Sequence, residues 1–418
     1  MSSNAGGIDF GTSNSSVGYV YEGVPRLVSF GNDGTSIPSA IFYASESPEV
    51  SFGKRAVSLY TEDVEGRLLR SLKSVLGSSL MGEKTTIRNK RVPFADIIQD
   101  FFGFLKSNLS RPDDISIDQV VIGRPVHFVD DNSENDRLAE QQLREIAHNA
   151  GFRHVEFQFE PIAAALSYES RLKTEERVLI VDVGGGTADF SIIDLSPGKH
   201  EATDRSSDIL ATMGIHIGGT DFDRLLSLQS VMPLLGMGSA VKDSTRLLPQ
   251  SLYFDLATWH RIPLMYNTTV LNIAKQMQLD AVDKNKVQLL IDTIEGRYGH
   301  ELARTVEQAK IELSKIDGTQ FTLAMLGDFS SRRIKRTEFE TAIESAVEQL
   351  SSCIKQGLID AQIKPEELTS VFYTGGSSSV PCLQSQIREL FPQARQVQGD
   401  TFGSVGLGLT LDAARKFG

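Results

Sequence analysis

The chain has 418 residues, of which 40% are hydrophobic and 23% charged, and its formal net charge is −12. That length exceeds one ordinary core and suits two lobes of roughly 200 residues each, and the composition excludes a disordered or fibrous chain. The acidic balance argues against a nucleic-acid partner or an anionic membrane surface, both of which reward clustered Lys and Arg, and no run approaches the roughly 20 apolar residues of a membrane helix. The N-terminus enters a strand-like segment without a basic and then apolar leader, so no secretory signal is expected. Cys353 and Cys382 are the only cysteines. They have no metal-like spacing, which suits a reducing, cytoplasmic compartment and leaves a single disulfide open.

In chain order, Ile8-Asp9-Phe10-Gly11-Thr12-Ser13-Asn14-Ser15-Ser16-Val17-Gly18 reads as an apolar strand ending in Asp, a small-residue turn and a second strand. Residues 119–123 are predicted as a buried strand, 135–151 as a helix ended by glycine, and 155–159 as another strand. Glu160-Pro161 opens an alanine-rich helix, with Pro161 at the favoured first position. Val181-Asp182-Val183-Gly184-Gly185-Gly186-Thr187-Ala188-Asp189-Phe190-Ser191-Ile192 then repeats the opening pattern, 173 residues on from Asp9 to Asp182. This repeat predicts two similar lobes, each beginning with a β-hairpin. The mixed periodicity of roughly 225–300 yields no firm element. Val371-Phe372-Tyr373-Thr374-Gly375-Gly376 is a third strand running into a glycine turn. Strands alternating with helices indicate an α/β fold with largely covered sheets.

Backbone N–H groups in a tight turn hold a phosphate chain best where side chains are small or absent. Gly11, Thr12 and Ser13 supply such a turn, as do Gly184, Gly185, Gly186 and Thr187. Each hairpin also ends a strand in a carboxylate, Asp9 and Asp182, and such a pair beside phosphates suits Mg²⁺, which keeps several waters. One Asp-Gly-Thr turn alone reads as a plain hairpin; two copies and a third glycine turn point to a nucleotide. Neither GxxxxGK[ST] nor GxGxxG after a first strand is present.

These segments resemble, in order, the ATPase domain of the heat shock protein 70 (DnaK-type) chaperones, within the actin/sugar-kinase superfamily. Residues 8–15 resemble the first phosphate loop, Arg124-Pro125-Val126 a proline-containing strand end, and Phe159-Glu160-Pro161-Ile162-Ala163-Ala164-Ala165-Leu166 the connecting motif. Residues 182–189 resemble the second phosphate loop and Gly218-Gly219-Thr220-Asp221-Phe222-Asp223 the glycine motif after it. Glu307-Gln308-Ala309-Lys310-Ile311-Glu312-Leu313-Ser314 resembles the adenosine-contacting helix and Gly375-Gly376-Ser377-Ser378 the adenosine loop. The arrangement is most similar to the YegD-type subgroup. The resemblance implies a two-lobed actin-like ATPase fold of duplicated ribonuclease H-like domains with inserted subdomains. Lobe I would span 1–178 and 398–418, with about 36–105 inserted; lobe II would span 179–397, with an enlarged insertion at about 222–310.

It also implies ATP or ADP and Mg²⁺ as cofactors, with slow hydrolysis that times a shape change. Asp9 and Asp182 would orient waters around Mg²⁺, and Thr12, Ser13 and Gly184 to Thr187 would wrap the phosphates. Thr187 and Asp189 would place the attacking water, and Lys73 would steady the γ-phosphate and nucleophile; without the resemblance Lys73 reads as a solvated helix lysine. Glu160 would position or deprotonate the water, and as a plain helix start it reads as a capping carboxylate. Gly218, Gly219, Glu307, Lys310, Ser314, the 375–378 loop and Asp400, which opens the last family-like stretch, would complete the nucleotide site. Pro125 and Pro161 would relay nucleotide state to a protein partner or co-chaperone, or are simply edge and helix-start prolines.

Three departures qualify this. Ile311 and Ser379 stand where the family sandwiches adenine between two arginines, so cation–π support is absent. After Gly406 too few residues follow for a peptide-binding domain, so none is expected. Ala309 lies 86 positions after Asp223, more than the family's span; the extra segment carries Phe254 and Trp259, which read as core packing, and His260, which reads as structural. The alternatives are a non-hydrolysing nucleotide-sensing scaffold, a small-molecule kinase of the sugar-kinase kind, and an actin-like filament.

Overall fold

The apolar runs of the sequence become the inner strands of two sheets, buried on both faces as their continuous Val/Ile/Leu character requires. The computed structural model describes residues 5–31, 34–62, 64–109, 116–129, 132–169, 172–199, 202, 204–323, 331–399 and 403–417. Two units divide the chain: Met1–Ile215 with Cys353–Ser378 and Ile387–Gly418, and His216–Ser352 with Ser379–Gln386. Asp400 lies outside the described residues.

The first unit opens with β1 (Ala5–Phe10), β2 (Asn14–Tyr21), β3 (Val24–Leu27) and β4 (Ile37–Pro38). A small three-stranded sheet follows, of β5 (Ala40–Ala44), β6 (Val50–Phe52) and, after α1 (Gly53–Thr61), β7 (Gly66–Arg70). The ribbon of β8 (Lys84–Ile87) and β9 (Lys90–Pro93) leads to α2 (Phe94–Leu109), β10 (Gln119–Arg124), α3 (Ser133–Asn149), β11 (His154–Phe159) and α4 (Glu160–Glu169). Then come β12 (Glu176–Val183), β13 (Ala188–Leu195) and β14 (Ile209–Ile215). The second unit contains α5 (Gly219–Leu226), α6 (Ser251–Leu256), α7 (Thr268–Asp280), α8 (Lys284–Glu295), α9 (Gly299–Leu313), the ribbon β15 (Gly318–Thr322) and β16 (Ser331–Lys335), and the first part of α10 (Arg336–Asp360). Next are β17 (Ser370–Thr374), α11 (Pro381–Leu390), β18 (Arg395–Gln398) and α12 (Ser404–Phe417).

The two large sheets share one topology. In strand order β3-β2-β1-β10-β11, an antiparallel meander passes into parallel neighbours; β14-β13-β12-β17-β18 repeats this pairing pattern strand for strand. The duplication expected from the two hairpins is therefore present at the level of whole sheets. Phe10 anchors the first sheet's core on α2, its ring 5.1 Å from Phe102 and nearly perpendicular to it. Ile97, Phe101 and Leu105 bury the same stripe of α2 at the helical i, i+4 spacing.

Helix α4 is buried on two sides. Ile162, Ala165 and Leu166 pack with Val178, Ile180, Ile193 and Leu195 of the second sheet, and Ala163 packs with Ala5, Val121, Leu409 and Ala413. Backbones approach closely there: a Cβ on Gly408 would collide with the Ala163 carbonyl, and one on Gly7 with Thr410 N of α12. Helix α3 starts where Asn132 accepts from Asn135 N at 3.0 Å, and the chain leaves it through Gly151 at φ +99°.

Residues 225–300, which gave no clear period, are helical throughout their longer pieces. Helix α5 runs into a π-turn at Ser227–Val231 and a 3₁₀ turn at Met232–Leu235, halted by Gly236 at φ 100°. Another 3₁₀ stretch, Trp259–Met265, contains Pro263. These interruptions scramble the 3.6-residue period. Phe254 is not core: it is 43% exposed, because α6 buries Leu252, Tyr253 and Leu256 and turns residue 254 outward. Trp259 is half-buried, edge-on to His300 at 4.6 Å, and His260 is exposed. Glu160, rather than Pro161, is the first helical residue of α4, and both cysteines are free thiols.

Candidate functional site

In the first unit the two hairpin turns meet. Residues Gly11 to Ser13 join β1 to β2 and Gly184 to Thr187 join β12 to β13, the second closed by Gly184 N donating to Thr187 O at 2.9 Å. A Cβ on Gly185 would collide with Ser13 Oγ, whereas one on Gly186 would meet nothing within 4 Å. One glycine thus permits the contact of the turns and the other leaves open backbone beside it. Ser39, which sequence reasoning missed, braces the first turn: its hydroxyl donates to Gly11 O at 2.6 Å and its N–H to Ser13 O at 2.9 Å. Only its position after Pro38 hinted at a fixed conformation.

Below the turns lie Asp9 and Asp182, at the ends of β1 and β12, with Asp189 opposite Asp182 in the antiparallel register. Lys73 reaches them from a 3₁₀ turn, Leu72–Val75, preceded by Ser71 in the left-handed region at φ 56°. It is not a solvated lysine: its side chain is 9% exposed and its ammonium forms a short ion pair with Glu160 Oε1. The segment is pinned to α3, because Gly77 N donates to Gln142 Oε1 at 2.9 Å and a Cβ on Gly77 would lie 2.7 Å from Asn135 O. Gly123 of β10, also missed, makes room for Glu160, whose Cγ would be 3.1 Å from a Cβ there.

Charge is the dominant feature. Burial first, then the Glu160 carboxylate, push the Asp9 carboxyl up to about 7, against the pull of Lys73. Burial, then Asp189, Glu160 and Asp9, hold Asp182 well above the carboxylate range. Burial would lower Lys73; Glu160, with Asp9 and Asp189, reverses this and holds its ammonium above the ordinary lysine value. Four carboxylates face one ammonium here, an arrangement that a bound cation would relieve. Among the described residues no three His, Cys, Asp or Glu converge as direct metal ligands, and a hydrated Mg²⁺ held through one or two carboxylates does not require that. The donors present therefore fit a hydrated cation and a phosphate chain.

The raised Asp9 carboxyl carries a testable sign. Folding takes up a proton wherever the pH lies between the ordinary carboxylate value and about 7, so this group's contribution to stability falls as pH rises across that window. In metal-free buffer Asp9→Asn is expected to melt higher than the parent at about pH 8, the gain shrinking to nothing by about pH 4. Thermal unfolding across that range checks it.

At the third turn, Gly375 has φ +78°, and a Cβ there would collide with Asp182 Oδ1 and lie 2.6 Å from Val183 O. Gly375→Ala is expected to cost about 1–3 kcal/mol from backbone strain alone and to displace Asp182. Urea unfolding and cation titration should both register it. Gly376, Ser377 and Ser378 form the following 3₁₀ turn, with Ser378 Oγ donating to Gly375 O at 2.8 Å.

The other nucleotide-site candidates belong to the second unit. Lys310 Nζ donates to Gly219 O at 3.2 Å and to Asp223 at 3.0 Å, and Ser314 Oγ donates to Lys310 O at 2.9 Å. Gly218 N is capped by Asp221 at 3.1 Å. Burial raises the Asp223 carboxyl to about 6, Lys310 opposing this and Glu307 adding to it. Asp223 was visible in sequence as part of the glycine motif, but not as the buried partner of Lys310. Ile311 is 41% exposed.

The family model described as "Hsp70 protein" matches residues 95–231 and 279–414. The chaperone protein DnaK of Thermosipho melanesiensis is 27% identical over 419 residues, covering 98% of this chain and 58% of its own. DnaK of Thermotoga maritima is 26% identical over 419 residues, covering 98% and 59%. DnaK of Ureaplasma urealyticum is 24% identical over 392 residues, covering 92% and 54%. The chain spans somewhat over half the length of these curated relatives.

Proposed function

The chain belongs to the Hsp70 family and has an α/β fold of the actin-like ATPase kind, and from that premise we propose that it is a Mg²⁺-dependent ATP-hydrolysing module acting as a nucleotide-driven switch. The observation that carries this is the pair of buried Lys73 and part-buried Glu160 set against Asp9, Asp182 and Asp189 beneath two touching glycine turns. We assign lobe I to 1–178 and 398–418 and lobe II to 179–397, a YegD-type subgroup, a cytoplasmic setting and a co-chaperone or other protein partner. No described helix is long and apolar enough to cross a membrane.

Each side chain then has work suited to its place. Asp9 and Asp182 would hold the hydration shell of the cation, and the turns at Gly11 to Ser13 and Gly184 to Thr187, whose backbone is open at Gly186, would bind phosphate oxygens. When bound, Mg²⁺ neutralises charge on the phosphate chain. Lys73 lies ready to stabilise negative charge developing on the transferred group, and Glu160 accepts a proton or fixes the water's orientation. Asp189, which accepts from Thr187 Oγ1 at 3.1 Å, orients that water from the other side. Phosphoryl transfer asks mainly for positioning and charge stabilisation, which this set supplies. Gly218, Gly219, Glu307, Lys310 and Ser314 of the second unit are assigned to nucleoside contacts; residues 375–378 and Asp400 of the first unit are assigned to the nucleotide separately.

The test is phosphate release from Mg²⁺–ATP without any acceptor. Slow release abolished by chelator supports the ATPase; ADP formed only with a sugar acceptor, its phosphoryl group transferred to the sugar, points to a kinase. The exposed Ile311 favours one second reading, a nucleotide-sensing scaffold without turnover, since the base would lack a stacking guanidinium there. ATP binding with no phosphate release would establish that reading instead.

A further inference from the structure

Helix α4 carries Glu160 at its first residue and ends at Glu169, nine residues or about 14 Å further along the axis. Glu169 is buried at the helix C-terminus, where both desolvation and the helix dipole disfavour a carboxylate. It is held by a network that answers every one of its demands. Arg205 Nη1 and Nη2 donate to its two oxygens at 2.7 and 2.8 Å, and Ser196 N donates to Oε1 at 3.2 Å. The Arg205 side chain has no exposed surface, its Nε donates to Asp208, and Lys199 Nζ donates to Asp208 at 2.7 Å. Ser196 directly follows β13, the strand that begins with Asp189's turn, and Asp208 directly precedes β14. The far end of the Glu160 helix is thereby tied to the end of β13, the strand that carries Asp189 near its start, and to the start of β14 beside it.

Buried ion pairs are weak sources of stability, and apolar side chains of similar volume often do as well. What a bidentate, charge-assisted pair adds is direction. The middle of α4, Ala163, Ala164 and Ala165, offers few knobs to fix its register; its other fixed points are Ile162 and Leu166 against the second sheet and Tyr168, whose hydroxyl donates to Glu176 at 2.6 Å. We infer that Arg205, clamped between Glu169 and Asp208, is a positioning residue that fixes α4 lengthwise and so holds Glu160 against Lys73; this rests on the role proposed above for Glu160.

The test compares Glu169→Met/Arg205→Met, which removes both charges of that pair together and leaves Asp208 paired with Lys199, with Arg205→Lys. Expected is a fall in kcat for phosphate release of about 10-fold or more, with KM for Mg²⁺–ATP within about twofold and the melting temperature nearly kept. Arg205→Lys should fall between parent and double variant. Parent-like kcat in the double variant would overturn the inference. If the parent protein itself releases no phosphate, the functional reading fails and the positioning claim is read in nucleotide-free protein. Faster hydrogen exchange in the first turn of α4 and reductive methylation of Lys73 in the double variant then support it; unchanged protection of both overturns it.

Discussion

Lys73→Ala is expected to lower phosphate release from Mg²⁺–ATP by about 10²–10³-fold while nucleotide affinity changes by less than about threefold. The ammonium is the cation that the Asp9, Asp182 and Glu160 carboxylates register. Its loss removes the positive end of the site just where negative charge develops. The same change leaves Glu160 part-buried and unpaired, which costs about 3–5 kcal/mol in comparable pairs, so activity alone is an ambiguous readout. Lys73→Met/Glu160→Leu separates the two effects. It should recover most of the melting temperature, because both charges are gone, and recover none of the turnover. A double variant that regains turnover, or a Lys73→Ala protein within about threefold of the parent rate, would remove Lys73 from the chemistry.

Asp182→Asn should shift the Mg²⁺ concentration for half-maximal phosphate release upward by about tenfold or more and lower the rate at low Mg²⁺ by about 10²-fold. The direction follows from the site's electrostatics. Asp182 is held well above the carboxylate range by burial, then by Asp189, Glu160 and Asp9, so its charge is costly unless a cation answers it. In metal-free buffer at neutral pH the amide should therefore raise the melting temperature while weakening Mg²⁺-linked stabilisation. Opposite signs with and without metal are the signature. A variant destabilised in both conditions would point to a packing role for Asp182 and away from a cation.

Much of this was legible in sequence for definite reasons. The hairpins announce themselves because Val-Leu-Ile-Val-Asp-Val is a covered strand and three glycines leave no doubt about the turn after it. A repeat of that pattern 173 residues apart predicts two similar lobes, each opening with a hairpin, and the sheets that begin with those hairpins, β3-β2-β1-β10-β11 and β14-β13-β12-β17-β18, have one topology. Lys73 is different. Nothing in Ser-Leu-Lys-Ser-Val separates it from a surface lysine, and its burial comes from a 3₁₀ turn entered through left-handed Ser71. Resemblance alone singled it out. Ser39 and Gly123 were silent because bracing a turn and making room for a carboxylate are long-range services with no local pattern. Glu169 and Arg205 read as ordinary charged residues, since their partnership spans 36 positions. Phe254 misled for a simpler reason: an aromatic five positions before a tryptophan reads as core, and the helix phase puts Tyr253 there instead.

The backbone contact of α12 with β1 sets a timetable for synthesis. Gly7 in β1 and Thr410 in α12 touch closely enough that no Cβ fits between them, and Ala5, Val121, Leu409 and Ala413 share one cluster. The sheet that contains the first strand is thus sealed by residues made about 400 positions later. At roughly 5–20 residues per second a ribosome needs about 20–80 s to cover that distance. Until then the face of β1 and β10 that meets α12 has only Ala163 of α4 to cover it. Proteolysis of chains stalled before α12 should therefore cut within residues 5–124 far more readily than in the finished fold.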